Sequence, residues 1–562
     1  MKPTIILKST LLLLPLLQLS CNENNSSQQA ALIKSMNLKR GEIISCGPPE
    51  KQLGSASFPI SGTKEEQDDF NLGLRLLHSF EYDEAEKVFA RIIDKNPDIA
   101  MAYWGIAMSN FHPLWTPPTT PELEKGEKAL DLSKNINKPA IEAGFIDAIA
   151  AFYNNWKQAD HRTRCLRFEQ AMESLHEKYP ENKEAAIFYA LALDAAADPT
   201  DKTFQKQKKA GDILNALYPG LPDHPGIVHY IIHSYDYSEL ASLALPAARK
   251  YASVAPSSAH ALHMPSHIFT RLGLWEDCIN ANLASVASAQ CYAQSAGIKG
   301  HWDEELHGLD YLVYAYMQVG NNEEAKKYLD YVMNMKEVSP FNFKVAYAFA
   351  SIPSRFVLEN KMWKEAASLI PASKLNGAKQ YWPEAIIHFT KLLGASHINQ
   401  LDNSNNELKE LNRLYQLLLQ EKENYKAGQV AIQMKSGEAW IRFAEGKQSE
   451  ALQLMKEAAD MEDKTEKHPV TPGEVVPARE LLGDMLMIMK KYDHALEAYE
   501  ADLKKHTNRF NGIYGAAQAA EKAGNHEKAI LYYDLLVSIA KNSKRPELAS
   551  AKEALLRLKS KG

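Results

Sequence analysis

Histidine is the residue with which this sequence could do chemistry. Eight of its 18 histidines fall in one stretch: His224, His229, His233, His260, His263, His267, His301 and His307. Imidazole titrates near neutral pH and is the commonest metal-binding side chain. His229 and His233 stand four apart, one helical turn, and Asp236 continues the row. Two imidazoles one turn apart form the first half of many zinc sites. The spacing matches the metalloprotease helix His-Glu-x-x-His, but Tyr230 occupies the position of the general base, so protease chemistry of that type lacks its base. His260, His263 and His267 are spaced i, i+3, i+7 with Pro265 inside the run. Proline suits a helix's first turn and disrupts deeper ones. Either the run is helical throughout and the three share a face, or a helix starts near Met264 and holds only His267. His307 and Asp310 are three apart on the next expected helix, with Glu304 one turn earlier.

Such residues would suit a divalent transition metal, zinc or copper. The expected ligands are His229, His233, His263 and His267, with His307 or Asp310 as alternates. Two other readings fit the same residues. One is a buried hydrogen-bond network reaching Tyr235, Asp236, Asp310 or backbone carbonyls. The other is a polar pocket for an organic anion or small ligand. The sequence has no nucleophile elbow, phosphate loop or dinucleotide fingerprint, so binding is expected ahead of catalysis.

The elements that must position these histidines are helical. From residue 65 onward the apolar residues recur at helical spacing, with almost no strand alternation. Leu72-Gly73, Leu76, Ala85, Phe89 and Pro97 fall at the spacing of the tetratricopeptide repeat, a helix–turn–helix unit of about 34 residues. Gly73 would let two helices approach, Ala85 would sit at their crossing, Phe89 would fill the gap and Pro97 would stop the second helix. Leu482-Gly483, Leu486, Ala495 and Tyr499 repeat the pattern, as do Ala529 and Tyr533. Weaker copies centre on Cys278, Ala325, Ala366 and Ala451. Three segments read as breaks: His112 to Pro118, which includes Trp115; Asp463 to Pro477; and the polar run Asp402 to Asn406, expected as a plain loop. The first two could reach across a concave face or act as surface spacers.

Several longer runs carry a family resemblance. They are Ala102-Tyr103-Trp104-Gly105-Ile106-Ala107-Met108, Asp198-Pro199-Thr200-Asp201-Lys202-Thr203, the stretch from His224 to Asp236, the stretch from His260 to Ile268, and Pro477-Ala478-Arg479-Glu480-Leu481-Leu482-Gly483-Asp484. In these runs the chain resembles a family of exported bacterial tetratricopeptide-repeat proteins. The resemblance implies a helical-repeat fold and no particular reaction.

At 562 residues the chain exceeds one compact domain, a limit that a repeat array escapes because each unit packs only on its neighbours. A net charge of −6 without a dense Lys/Arg stripe argues against nucleic-acid binding. Met1, Lys2 and Lys8, then Leu11 to Leu17 broken by Pro15, read as an export signal over residues 1–20, too short to stay in a membrane. Leu19-Ser20-Cys21 resembles a bacterial lipoprotein cleavage site with Cys21 as the lipidated residue, although Gln18 departs from the usual aliphatic residue. An ordinary secretory signal is the alternative. Cys46, Cys165, Cys278 and Cys291 are sparse and irregular, unlike a disulfide framework or zinc ribbon. They are expected as buried small apolar residues.

The expected molecule is therefore an all-α lipoprotein, an α-solenoid of tetratricopeptide-like repeats. It would be lipid-anchored in the bacterial cell envelope, at the outer membrane, facing the periplasm or the surface. Residues 21–60 would form the tether and an irregular segment, 61–336 a repeat block carrying the histidines, and 337–562 a second block. The leading expectation is a scaffold holding a protein or peptide partner on the first-helix face of its repeats. The competing expectation is a metal-binding protein or metalloenzyme centred on the histidines. A third is an accessory ligand-binding component of nutrient uptake.

Overall fold

Small residues recur in this chain where two helices cross, and that recurrence builds the fold. The computed structural model describes residues 29–47, 53–114, 116–372, 375 and 379–560; the expected signal, Cys21 and Trp115 lie outside them. The described residues are all-α apart from two short parallel strands, His301–Trp302 and Val338–Ser339. Successive helices pack as neighbours in helix–turn–helix repeats, the architecture of an α-solenoid. No helix among the described residues is long and apolar enough to cross a membrane.

The repeat signature has a simple physical form. Between paired helices one residue takes the left-handed backbone conformation, and five positions later a small residue is fully buried at the crossing. Gly273 (φ 63°) precedes Cys278, Gly320 (φ 67°) precedes Ala325, Gly446 (φ 80°) precedes Ala451, and Gly524 (φ 80°) precedes Ala529. Lys361 and Lys490 take the same conformation ahead of Ala366 and Ala495. All six small residues are 0% exposed. An aromatic ring then fills the space between first helices. A methyl group on Gly483 or Gly515 would lie 2.6 or 2.4 Å from the Tyr499 ring, so only glycine fits on either side of it.

The same register explains one departure from expectation. The polar run Asp402 to Asn406 is not a loop but the first turn of the Leu401–Gln420 helix. Asn399 (φ 58°) supplies the left-handed turn and Ser404, five positions on, takes the buried crossing position at 0% exposure. Lys422 and Ala427 form another copy that the sequence pattern did not reveal. The other two breaks are irregular, as expected: the described residues around 110–119 and the segment 464–477 lie between helices.

The chain divides into two compact units. One comprises Met1–Ile43, Ser57–Leu77 and Glu81–Ala195; the other comprises Ile44–Ala56, His78–Phe80 and Ala196–Gly562. The boundary expected at 336/337 falls inside the second unit. In the first unit, Phe70, Phe89, Trp104 and Phe188 form an aromatic core, with Trp104 5.4 Å from Phe188 and Phe70 5.7 Å from Phe89. Phe89 sits between Gly73 and Gly105 as Tyr499 sits between its glycines.

All eight clustered histidines belong to the second unit. A covalent link there corrects the cysteine expectation: Cys46 and Cys291 are disulfide-bonded, 245 residues apart in sequence. The bond ties the segment before residue 57 to the Trp275–Ser295 helix, where Ser288 Oγ also donates to the Cys46 carbonyl at 3.0 Å. Cys165 and Cys278 are free and buried, as expected.

Candidate metal centre

Four helices bring six histidines together. The Pro225–Ser234 helix starts on proline, whose missing N–H costs nothing in a first turn, and carries His229 and His233. Ser258 caps the short Ala259–His263 helix by accepting from the Ala261 amide. The Pro265–Arg271 helix follows immediately, again with proline at its first position, and Met264 between them keeps helical angles. The run is thus helical nearly throughout and carries His260, His263 and His267. His307 comes from the Asp303–Gln318 helix.

The six divide into two trios. His229, His233 and His260 offer one nitrogen each within 4.8 Å of one another, and so do His263, His267 and His307. His229 Nε2 lies 3.0 Å from His233 Nε2 and 3.1 Å from His260 Nε2. His263 Nε2 lies 3.1 Å from His267 Nε2, and the His263 and His307 ring centres are 4.1 Å apart. His229, His260, His263, His267 and His307 are all buried. Aromatic rings wall the trios: Phe80 and Tyr251 lie 4.4 and 5.0 Å from His229, and Tyr311 5.0 Å from His267. The expected ligand set of His229, His233, His263 and His267 is therefore not one shell. It is split between two groups, each completed by a third histidine.

The opposite edges of the rings decide what the inner edges can be. His229 Nδ1 is 2.6 Å from the His78 carbonyl, which only accepts, so Nδ1 carries the proton. His267 Nδ1 is 3.0 Å from the Asp236 carboxylate and must likewise donate. His263 Nδ1 is 2.7 Å from Asn282 Oδ1, and the Asn282 amide nitrogen donates to the Cys278 carbonyl at 2.8 Å, which orients its oxygen towards His263. Burial pushes all six imidazoles below their usual value, so they are neutral at pH 7. A neutral imidazole protonated at Nδ1 presents a bare lone pair at Nε2. His263 and His267 therefore point two lone pairs at each other across 3.1 Å. That contact is repulsive unless a cation sits between them. Metal-bound histidines are held this way, the outer N–H anchored to a carbonyl or carboxylate and the inner nitrogen free to coordinate.

Asp236 anchors more than His267. Its carboxylate also pairs with Arg271 at 2.9 Å and Lys467 at 2.9 Å. Burial alone would raise its pKa, but Lys467, Arg271 and His267 hold it well below the usual carboxylate range. Burial brings the Lys467 ammonium down to about 8 despite Asp236. Lys467 belongs to segment 464–477, which also accepts from Tyr311 at the Thr471 carbonyl (2.9 Å) and from Arg355 at the Gly473 carbonyl (2.9 Å).

Asp310, an expected alternate ligand, is engaged elsewhere. Its carboxylate pairs with Arg355 and accepts from Ser351 at 2.9 Å, because a buried carboxylate needs a cation and Arg355 is fully buried beside it. His301 pairs with Glu305 at 2.8 Å, and His224 packs 4.8 Å from the His78 ring; neither is in these trios. Sequence reasoning missed the anchors His78 and Asn282. Asn282 lies one turn beyond Cys278, a detectable spacing, whereas a backbone carbonyl leaves no mark in a sequence.

Compared with known proteins, the sequence matches no protein-family model and no curated protein. Among solved structures it is similar to a chain in the crystal structure of the APC/C hetero-tetramer Cut9–Hcn1. The identity is 14%, covering 88% of this chain and 96% of that one, with a TM-score of 0.29. It is also similar to the TPR domain of P58(IPK), at 14% identity over 67% of this chain and 98% of that one, with a TM-score of 0.21. At such scores neither bears on what this protein binds; the repeat fold rests on its own helices.

Proposed function

We propose that this protein binds transition-metal ions, one in each histidine trio, within an exported helical-repeat chain anchored to the bacterial envelope by Cys21. The observation that carries the metal reading is the pair of Nε2 lone pairs facing each other at 3.1 Å between His263 and His267, with both outer nitrogens committed. An all-imidazole donor set suits zinc or copper. The Cys46–Cys291 disulfide supports export, since such bonds persist in oxidising compartments. The scaffold reading keeps the rest of the repeats. It loses part of the first-helix face, because segment 464–477 lies on Tyr311, Tyr347 and Arg355.

The test is metal content of the full chain, purified without a histidine tag. Two equivalents of zinc or copper are expected in the parent and one in each of two variants, His229→Ala/His233→Ala and His263→Ala/His267→Ala. Metal at 100 times its dissociation constant should stabilise the chain by about 2.7 kcal/mol per site. No bound metal after incubation with each ion would refute the reading.

A further inference from the structure

We infer that the two trios form one dinuclear centre whose ions share an exogenous anion. The inference rests on the metal reading above, and three observations carry it.

The first is adjacency. His260 and His263 are three residues apart on the same short helix, with Cβ atoms about 5–6 Å apart, yet each completes a different trio. The two sites are therefore neighbours across a single helical turn. Asp236, two positions beyond the helix that carries His233, anchors His267 of the other trio.

The second is the shape of each trio. Metal–imidazole bonds run about 2.0–2.1 Å. With Nε2 atoms 3.0–3.1 Å apart, bonds of that length give nitrogen–metal–nitrogen angles of about 95–100°. That is narrower than a tetrahedral or trigonal arrangement. Three imidazoles also leave at least one position of a four-coordinate ion open.

The third is charge. Every ligand is an imidazole, which coordinates a metal in its neutral form, and no carboxylate belongs to either trio. The carboxylate that touches one of them, Asp236, is already matched by Arg271 and Lys467. Two divalent ions would bring about four positive charges into a buried, aromatic-walled site with no carboxylate among their ligands, while Asp303 and Glu304 are already matched by Lys344, and burying such unmatched charge is costly. An anion entering at the open positions removes that cost, and one bridging both ions removes it for both. The ligand class is a small mono- or dianion with one or two donor atoms, hydroxide being the simplest.

The probe is copper(II), with azide as the anion. The full chain, tag-free, is loaded with two equivalents, and its electron paramagnetic resonance intensity per copper is measured before and after azide. A bridged pair couples its spins, so the intensity per copper should be a small fraction of that of an isolated ion. Azide should add a charge-transfer absorption band. His307→Ala should bind one copper and show its full signal. If that variant does not fold, the unmutated chain loaded with one copper and one zinc should show the same full signal. Two bound coppers with two full signals that azide leaves unchanged would overturn the shared anion while leaving metal binding intact. No bound copper or zinc would overturn both.

Discussion

Replacing Asp236 with asparagine keeps the shape of the side chain and removes its charge, which tests the anchoring of the second trio. Three groups lean on that charge: His267 Nδ1, Arg271 and Lys467. The lysine's share is bounded. Its ammonium titrates at about 8 in the folded protein. At pH 7 it can fall by about one more pH unit before it deprotonates, which caps its further cost at about 1.4 kcal/mol. Arg271 cannot escape by deprotonation. It keeps the Asp236 backbone carbonyl at 2.7 Å and Ser238 Oγ at 3.2 Å, and the carboxylate left to it is Glu466, an ion pair at 3.6 Å. Asparagine can still accept, so each of the Arg271 and His267 bonds falls from the charged to the neutral range and the two together lose about 2–3 kcal/mol. Asp236→Asn should therefore destabilise the metal-free protein by about 3–4 kcal/mol, in line with breaking a buried pair from one side. Adding Lys467→Met should recover the lysine's share, because a buried cation has been replaced by a side chain of similar length. The anchor also tunes the ligand, so the His263/His267/His307 ion should bind roughly 10–100-fold more weakly, with the His229/His233/His260 ion unchanged. Urea unfolding and competition titration with a chelator measure the two effects. A loss of less than about 1 kcal/mol, together with equal affinity at both trios, would refute the assigned network and the anchored tautomer.

Ser404 occupies a crossing position that alanine or, at Cys278, cysteine fills in other repeats, and its hydroxyl donates to the Gln400 carbonyl at 3.2 Å. Ser404→Ala should change stability by less than about 1 kcal/mol, whereas Ser404→Leu should cost about 1–3 kcal/mol by overpacking; equal urea midpoints for the two would contradict the register. His506 lies between Asp502 (2.7 Å) and Glu474 (2.8 Å); burial lowers its pKa, but the two carboxylates outweigh it and raise it to about 10. Its stabilisation is complete below about pH 6.5, the unfolded value, and is lost as pH rises through about 10. Stability measured from pH 7 to 9 should fall by up to about 1.4 kcal/mol per pH unit from this residue, and His506→Gln should flatten that slope. The Cys46–Cys291 bond closes a loop spanning 245 residues, so reductant should destabilise the protein by up to about 5 kcal/mol. Thermal melts with and without reductant test this, with Cys46→Ser/Cys291→Ser reproducing the reduced protein; identical melts would show that the bond does not constrain the chain.

The repeat fold was legible because a helix crossing is a local constraint written in residue size. Ala85, Ala495 and Ala529 stand out at fixed distances from aromatic partners, and Gly483 cannot be larger without meeting Tyr499. Ser404 hid the same position behind a polar run, since serine among asparagines reads as a loop until its burial is seen. The clustering of histidines was legible for a similar reason, since i, i+4 spacing places His229 and His233 on one face. The partition was not. His260 and His263 lie on the same short helix, and only packing against the Pro225–Ser234 helix on one hand and the Asp303–Gln318 helix on the other sends them to different trios. Asp310 looked equivalent to a ligand in sequence, but Arg355, 45 positions away, claims it. The Cys46–Cys291 pair is separated by too much chain for any local pattern to announce it.

What holds the trios comes from parts of the unit that share no sequence neighbourhood. His229 is fixed by the backbone at His78, 151 positions earlier. His263 is fixed by Asn282, on the helix that Cys291 ties to Cys46. His267 is fixed by Asp236, which is in turn neutralised by Lys467 from a segment 231 positions later. Each anchor supplies an acceptor to an outer nitrogen, and between His263 and His267 the result is two inner nitrogens left as bare acceptors 3.1 Å apart in a buried space. A buried hydrogen-bond network would do the reverse and pair each acceptor with a donor, because unpaired lone pairs cost free energy away from water. The anchors here spend their acceptors on the wrong side of the rings for that purpose. They suit a centre in which the missing partner of the inner nitrogens is a cation.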